Sequence, residues 1–110
     1  MLIMRRYNGN IAYLAGIIDG EGCFSAIVNA NGRGEKHRYA EIKVGQKDKR
    51  LLVWIKRYYQ GNISRMGQYY QWTLRGKKAI ALAKQVQPYL IVKDQQVLRC
   101  ILASCEYCTT

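Results

Sequence analysis

Residues 14–22 read Leu14-Ala15-Gly16-Ile17-Ile18-Asp19-Gly20-Glu21-Gly22, and the fold depends on this stretch. We predict that it forms the end of a short helix. Ala12, Gly16 and Gly20 are spaced by four residues, so on a helix they share one stripe of small side chains. Small residues at this spacing let two helices approach closely. The alternative that the residues leave open is a buried helix that ends in a Gly-rich turn.

An acidic residue, Glu21, sits just past the end of this stripe. If a second copy of the helix packed against the first, two Glu21 carboxylates would meet near the symmetry axis and repel each other. A divalent cation between them would remove the repulsion, because hard cations bind oxygen ligands. The pattern therefore indicates a metal site shared between two helices.

The nonapeptide of residues 14–22 resembles the signature motif of the LAGLIDADG homing endonucleases, in the variant that ends Gly-Glu-Gly. The resemblance implies that Glu21 binds the catalytic divalent metal, Mg²⁺ or Mn²⁺, with help from the backbone carbonyl of Gly20. It also implies that Asp19 belongs to the structure of the helix end and takes no part in catalysis. It places a dimer interface on the motif helix, at Ala12, Ala15, Gly16, Asp19 and Gly20.

The chain is short and strongly basic. Its 110 residues are enough for one domain, 1–110, with a modest core. Eighteen Lys and Arg against seven Asp and Glu give a net charge of +11, which favours a polyanionic partner such as nucleic acid. A small RNA-binding or ribosome-associated protein has the same charge and length.

The sequence also bears on membranes and on the four cysteines. It has no apolar run of about 18 residues and no secretory signal, so we expect no membrane partner. Cys23, Cys100, Cys105 and Cys108 are even in number, yet a reduced intracellular setting suits a nucleic-acid binder better. Zinc at Cys105-x-x-Cys108 is disfavoured, because there is no second such pair and His37 is distant in sequence.

Four segments have the two-residue period of strands in two hairpins, over about 23–30 with 37–46 and over about 62–75. Phe24, Ala40, Ile42, Trp72 and Leu74 fall on the apolar, core-facing side. The opposite side is mostly polar, as readout of the major groove requires, although any half-exposed hairpin has such a side. We predict that the DNA-contacting residues are Ser25, Ile27, Asn29, Asn31, Arg33, His37, Tyr39, Glu41, Lys43, Ser64, Met66, Tyr69, Gln71, Thr73 and Arg75.

Three helical segments complete the chain. The first opens at Lys47-Asp48-Lys49 and ends near Gln60, the second covers about 77–85, and the last begins near Asp94 and should bury Val97, Leu98, Ile101 and Leu102. The order of elements is that of the LAGLIDADG fold, an α+β fold of αββαββα order with a four-stranded antiparallel sheet that forms a DNA-binding saddle.

Two further segments resemble parts of this family outside the motif. Residues 44–50 are similar to the segment that positions the attacking water, which implies catalytic roles for Gln46 and Arg50. Residues 87–93 are similar to the family's Pro-aromatic-Leu stretch that ends in a lysine near the active site. The resemblance implies that Lys93 lies near the scissile phosphate, where it would stabilise developing negative charge.

The family resemblance implies a site-specific endonuclease that cleaves double-stranded DNA with divalent metal. One acidic motif per chain implies a homodimer and a pseudo-palindromic target. Two alternatives within the family are a catalytically silent DNA-binding regulator and an intron maturase that acts on RNA. Genes of this kind imply an intracellular setting, in a chloroplast or mitochondrion or in bacterial or phage cytoplasm.

Overall fold

The computed structural model describes residues 9–30 and 36–108, and within them the side chains of residues 9–26 and 39–102. The elements follow in the order α1 (Gly9–Glu21), β1 (Gly22–Ala30), β2 (Lys36–Gln46), α2 (Lys49–Tyr59), β3 (Asn62–Met66), β4 (Tyr69–Arg75), α3 (Lys77–Val86), a short 3₁₀ helix (Gln87–Tyr89) and α4 (Asp94–Cys108). This is the predicted αββαββα order of an α+β fold. Among the described residues, no helix is long and apolar enough to span a membrane.

The four strands form one antiparallel sheet in the order β1-β2-β4-β3. The register pairs Phe24 with Ile42 and Ile42 with Leu74, so these side chains lie on the same face. They are buried together with residues of the helices, which cover that face. The core consists mainly of Ile11, Leu14, Ile18, Phe24, Ala40, Ile42, Val44, Leu52, Ile55, Trp72, Leu74, Ile80, Val86 and Val97.

The other face of the sheet, which we call the open face, carries the alternate residues of the same strands. Paired residues of an antiparallel sheet lie on one face, and the pairs here are Ser25 with Glu41, Glu41 with Arg75, and Lys43 with Thr73. Met66 and Tyr69, which also pair, are exposed. The predicted inner and outer sides of the strands are therefore confirmed.

The last helix is rotated relative to the prediction. Val97 and Ile101 are buried as expected, but Leu98 and Leu102 are 37% and 59% exposed, and Cys100 is buried instead. The helix packs on β1 and β2, and successive residues turn by about 100°. The buried stripe therefore runs through 97, 100 and 101, and Leu98 and Leu102 point away from the sheet. The Cys100 thiol lies 3.2 Å from the carbonyl oxygen of Ser25.

The motif helix runs directly into β1 without a loop. It ends at Glu21, and the strand starts at Gly22. A Cβ atom on Gly22 would lie 2.9 Å from the Ile18 Cα and 3.0 Å from the Lys43 carbonyl oxygen. The close contact between the end of α1 and β2 therefore requires glycine at this position.

We expect Gly22→Ala to lower the free energy of unfolding by about 1–3 kcal/mol, because the added methyl group meets backbone atoms that must shift. The matched control is Gly45→Ala, where the Cβ would lie 3.4 Å from the Tyr69 ring, within ordinary contact distance. This control should change the free energy by no more than about 0.5 kcal/mol. Urea unfolding of both variants measures the difference, and equal values would contradict the steric argument.

Candidate active site and nucleic-acid interface

The carbonyl end of α1 is anchored by the carboxylate of Asp19. Its oxygens accept hydrogen bonds from the backbone N–H groups of Ile91, Val92 and Lys93 at 2.8, 3.1 and 3.0 Å. These residues precede α4, so the carboxylate joins the first helix to the entry of the last one. Asp19 therefore serves the structure of the helix end, as the sequence indicated.

The pKa of Asp19 reflects this arrangement. Burial acts to raise it, but the three backbone hydrogen bonds and the positive charge of Lys93 outweigh that effect. The net result is a pKa below the usual value, so the carboxylate is the strongly favoured form in the folded chain.

The side chain of Lys93 binds the same end of the helix. Its Nζ donates to the carbonyl oxygen of Ile18 at 2.8 Å and also to that of Gly22. A cation is favourable at this position, because the last carbonyls of a helix carry partial negative charge. Since Ile18 and Gly22 bracket Glu21 in the chain, the ammonium group binds the backbone on both sides of the predicted metal ligand.

Glu21 itself is exposed at the last position of the helix. In the described part of the chain, no side chain or backbone group forms a hydrogen bond or an ion pair with its carboxylate. A carboxylate is unfavourable at the carbonyl end of a helix. Glu21 therefore does not stabilise the helix, and its oxygens are available to an outside cation.

A single chain offers few further metal ligands. Residues 9–30 and 36–108 contain no group of three or more His, Cys, Asp or Glu side chains that is placed to hold a metal ion. The oxygen donors at the end of α1 are the Glu21 carboxylate and the carbonyl of the exposed Gly20. Carboxylate and carbonyl oxygens suit Mg²⁺ and Mn²⁺, but this set is incomplete without further ligands.

Gln46 and Arg50 lie beside one another on a different part of the surface. Both line a cleft of about 740 Å³ between α1 and α2, and the other lining residues are Asn10, Tyr13, Asp48, Leu51 and Trp54. Glu21 does not line this cleft. The Gln46 side chain accepts a hydrogen bond from the backbone N–H of Lys47 at 3.0 Å.

The guanidinium of Arg50 is held by Asp48, a residue that the sequence analysis noted only at the helix start. Arg50 Nε lies 3.0 and 3.1 Å from the two carboxylate oxygens of Asp48, and Nη2 lies 2.6 Å from Oδ2. Asp48 also caps α2 by accepting from the Arg50 backbone N–H. The hydrogen bonds from the Arg50 side chain and backbone lower the pKa of Asp48 to about 2. The Asp-x-Arg spacing at a helix start is the signal that would have identified this pair.

The small-residue stripe of α1 is open. Gly16 and Gly20 are exposed, and a Cβ atom on either would meet no atom of the described chain within 4 Å. Ala12 is half-buried beside them. Ala15 differs from the interface prediction: its side chain is fully buried in the core, because one residue before Gly16 the helix has turned inward.

The open face of the sheet carries the predicted DNA-contacting residues for which side chains are described. Arg75, Met66, Tyr69 and Ser64 are exposed, and Ser25, Tyr39, Lys43, Gln71 and Thr73 are half-buried. The backbone register places residues 27, 29 and 37 in β1 and β2, but their side chains are outside the described set. Asn31 and Arg33 lie outside the described residues altogether.

Glu41 is the exception on this face. Its side chain is only 2% exposed, although it was predicted to contact DNA. Two cations pair with it: Arg75 Nε lies 2.5 Å from Oε2, and Lys43 Nζ lies 3.2 Å from Oε1. The hydrogen bond and charge of Glu41 raise the pKa of Arg75 above its usual value. Glu41 therefore binds its own neighbours and is not presented to a partner.

The sequence profile of the LAGLIDADG endonuclease family matches residues 14–94, most of the chain. The chain belongs to this family. The match includes residues 14–21 of the motif helix, the whole sheet, α2, α3 and the segment that carries Lys93. Comparison with curated protein sequences finds no match.

Solved structures of homing endonucleases share the fold. One is I-CvuI, in complex with the I-CreI target in the presence of 2 mM Mg, with the DNA not cleaved; it has 18% identity, a TM-score of 0.80, and coverage of 92% of this chain and 69% of that one. Another is the archaeal intron-encoded I-Vdi141I complexed with DNA. It has 22% identity, a TM-score of 0.73, and coverage of 87% of this chain and 67% of that one. The meganuclease I-SmaMI, bound to uncleavable DNA, has 17% identity and a TM-score of 0.75, and this chain covers only 38% of it.

We expect Asp19→Asn to lower the free energy of unfolding near neutral pH by about 1–3 kcal/mol, because hydrogen bonds to a carboxylate are lost or weakened. The folded-state pKa lies below the unfolded value, so this contribution is fully present above the unfolded value of about 3.9. It is lost as the pH falls through the lowered pKa, and the two proteins should converge in strong acid. Urea unfolding between about pH 7 and about pH 2 measures this.

The matched control is Asp48→Asn, at a second carboxylate with a lowered pKa. Its ion pair is exposed and asparagine caps a helix as well as aspartate, so little stability should be lost. Equal stability of wild type and Asp19→Asn at neutral pH would contradict the proposed anchoring of α1.

Proposed function

We propose that this protein is a site-specific endonuclease that cleaves double-stranded DNA as a homodimer with divalent metal, Mg²⁺ or Mn²⁺. The observation that carries the proposal is the exposed carboxylate of Glu21 at the carbonyl end of the motif helix, where it has no partner among the described residues and costs stability. Because this carboxylate does not stabilise the fold, binding or catalysis explains its presence better than folding does. Membership of an endonuclease family gives the class of reaction.

Glu21 and the Gly20 carbonyl would hold the metal ion, because both are exposed oxygen donors at one helix end. A bound divalent ion supplies an activated water and neutralises charge on the scissile phosphate. One chain contributes one such carboxylate, so the corresponding residues of a second copy would supply the missing ligands. Two copies of this site also match a double-strand break.

Lys93 would supply positive charge next to Glu21. Its ammonium group is oriented by the carbonyls of Ile18 and Gly22, so it is positioned without any contact from substrate. A preorganised cation stabilises negative charge that develops on phosphate oxygens. In the cleft on the flank of α1, Gln46 and the Arg50–Asp48 pair would order water and phosphate groups.

The glycines of α1 support a dimer. Glycine in a helix interior costs about 1 kcal/mol relative to alanine, and nothing in the described chain requires it at Gly16 or Gly20. This contrasts with Gly22, where the chain's own packing leaves no room for a Cβ. Close approach of a second motif helix gives a reason for glycine at the first two positions. A two-fold dimer in turn implies a pseudo-palindromic DNA site.

The open face of the sheet would bind the major groove. It combines cationic, amide, hydroxyl and aromatic side chains, which match the donors and acceptors of base edges. The net charge of +11 adds affinity for phosphates that weakens with salt. In the solved relatives named above, proteins of this fold are bound to DNA.

A second candidate is a DNA-binding regulator or RNA maturase of the same fold. It is favoured by the basic charge and the polar open face, because a protein that only binds nucleic acid needs this surface but no metal at Glu21. Metal-dependent cleavage separates the two candidates.

We expect Glu21→Gln to abolish Mg²⁺-dependent cleavage while DNA binding remains, because glutamine keeps the shape but loses the charge that binds metal. The candidate target is a plasmid that carries the two sequences flanking the gene, joined directly as in an allele without the intron. Cleavage is assayed with and without Mg²⁺. Asp94→Asn, an equal charge change at the start of α4, is the control and should cleave normally. Binding without cleavage by the wild type would favour the second candidate.

We expect Gly16→Leu to convert the dimer to a monomer without loss of folding, because the side chain enters open space in the monomer but blocks a second helix. Sedimentation equilibrium measures the mass, and thermal unfolding at low concentration tests the fold. Gln85→Leu, on the exposed side of α3, is the control and should leave the mass unchanged. A wild type that sediments as a monomer with and without DNA would refute the dimer.

A further inference from the structure

A buried carboxylate lies in the middle of the open face, the surface that we propose binds DNA. Glu41 is in the middle of β2 on the open face, in one row with Ser25 of β1 and Arg75 of β4. Its side chain is 2% exposed, whereas the side chains of Arg75 and Lys43 that cover it are 62% and 38% exposed. The anion is therefore at the base of a small cluster whose outer part is cationic.

Folding does not explain this residue. Glutamate is disfavoured in strands, and a buried charge pays a desolvation cost that its ion pairs often fail to recover. An apolar residue of similar size in place of a buried ion pair is often neutral or stabilising. The hydrogen bonding is also incomplete, because Oε1 has no hydrogen-bond donor among the described residues and its contact with Lys43 Nζ is electrostatic. A role in arranging the two cations accounts for the carboxylate better than stability does.

The contact with Arg75 has a specific geometry. Glu41 Oε2 accepts from Arg75 Nε at 2.5 Å, so the carboxylate binds the inner edge of the guanidinium. The two terminal nitrogens form a second donor fork at the end of this planar group, and the described residues supply no acceptor to it. Arg75 is long and carries large rotamer entropy, and the bond at Nε fixes its orientation before any ligand arrives. Because the Arg75 side chain is 62% exposed, this second fork is available to a ligand.

We propose that Glu41 is a positioning residue for base recognition: it holds Arg75 so that the two terminal nitrogens bind O6 and N7 of a guanine in the major groove. This fork geometry matches the guanine edge, and arginine to guanine is the commonest specific side-chain contact with DNA. Lys43, which shares the carboxylate, stabilises the anion and adds contact with the neighbouring base or phosphate. Glu41 itself does not touch the DNA.

The inference depends on the proposed function, since it assumes that the open face binds duplex DNA. It predicts more than general affinity for a polyanion. Neutralising Glu41 removes one negative charge and so raises the net charge of the chain by one. Affinity for duplex DNA of random sequence should therefore be equal or stronger at low salt. The same change should weaken discrimination at one base position, because a mobile arginine loses its advantage for guanine.

The experiment selects bound sequences from a randomised duplex pool, with Ca²⁺ in place of Mg²⁺ to limit cleavage. The proteins compared are wild type, Glu41→Gln, Glu41→Met, Arg75→Lys and Asp94→Asn. Wild type should prefer guanine at one position of each half-site, and Arg75→Lys identifies that position by losing the preference, because lysine has no fork. Both Glu41 variants should lose roughly ten-fold or more of the preference at this position alone.

The control Asp94→Asn makes the same charge change at the start of α4, outside the open face, and should keep the full preference. In the free proteins, exchange of the Arg75 Nε–H with water should be slow in wild type and fast in both Glu41 variants, which tests the positioning without DNA. Two variants are used because glutamine retains polarity and methionine retains volume, so at least one should fold as judged by thermal unfolding.

Several outcomes overturn the inference. If both Glu41 variants keep the guanine preference, or if the loss is equal at every position of the site, Glu41 has no positioning role. Fast exchange of the Arg75 Nε–H in wild type leads to the same conclusion. If wild type binds duplex with sequence preference but Arg75→Lys changes no position, the guanine contact is wrong while DNA binding remains. A wild type that binds no duplex refutes the proposed function, and the inference with it.

Discussion

The contacts at the carbonyl end of α1 are the constraint on which the rest of this structure depends. Asp19 binds three successive backbone N–H groups before α4, and Lys93 from that segment binds carbonyls on both sides of Glu21. The Asp19 carboxylate accepts from N–H groups at the entry of α4, and the Lys93 ammonium group donates to carbonyls at the end of α1. Residues far apart in the chain, 19 and 91–93, are thereby fixed against one another. The exposed Glu21 is held between them without a partner of its own.

The glycines of the motif divide into two kinds. Gly22 is explained within the chain, since the contact of α1 with β2 leaves no space for a Cβ. Gly16 and Gly20 have open space beside them and cost helix stability. One motif therefore contains a glycine that this fold requires and two that a second helix would explain. The same nine residues would thus serve both the folding of one chain and the proposed association of two.

The charges on the open face follow a similar division. Arg75 is exposed and Lys43 is half-buried, and both pair with a buried anion beneath them. A surface of mobile lysines and arginines binds any polyanion, whereas a fixed guanidinium distinguishes one base edge from another. Buried charge of this kind is poor for stability. The proposed role in recognition gives a reason for its presence at the centre of the sheet.

The sequence by itself determined the order of elements and the two faces of the sheet. These follow from local rules: strand alternation separates Trp72 and Leu74 from Gln71 and Thr73, and the nonapeptide specifies the motif helix. Only the tertiary structure decided which way α4 faces, that Ala15 lies in the core, and that Glu41 is buried beneath its neighbours. The rotation of a helix depends on the shape of the sheet beneath it, and a one-residue error changes direction by about 100°. The burial of Glu41 depends on Arg75, which is 34 residues away and reaches it only through strand pairing. Periodicity assigns a residue to a face but carries no information about which long side chains cover it there.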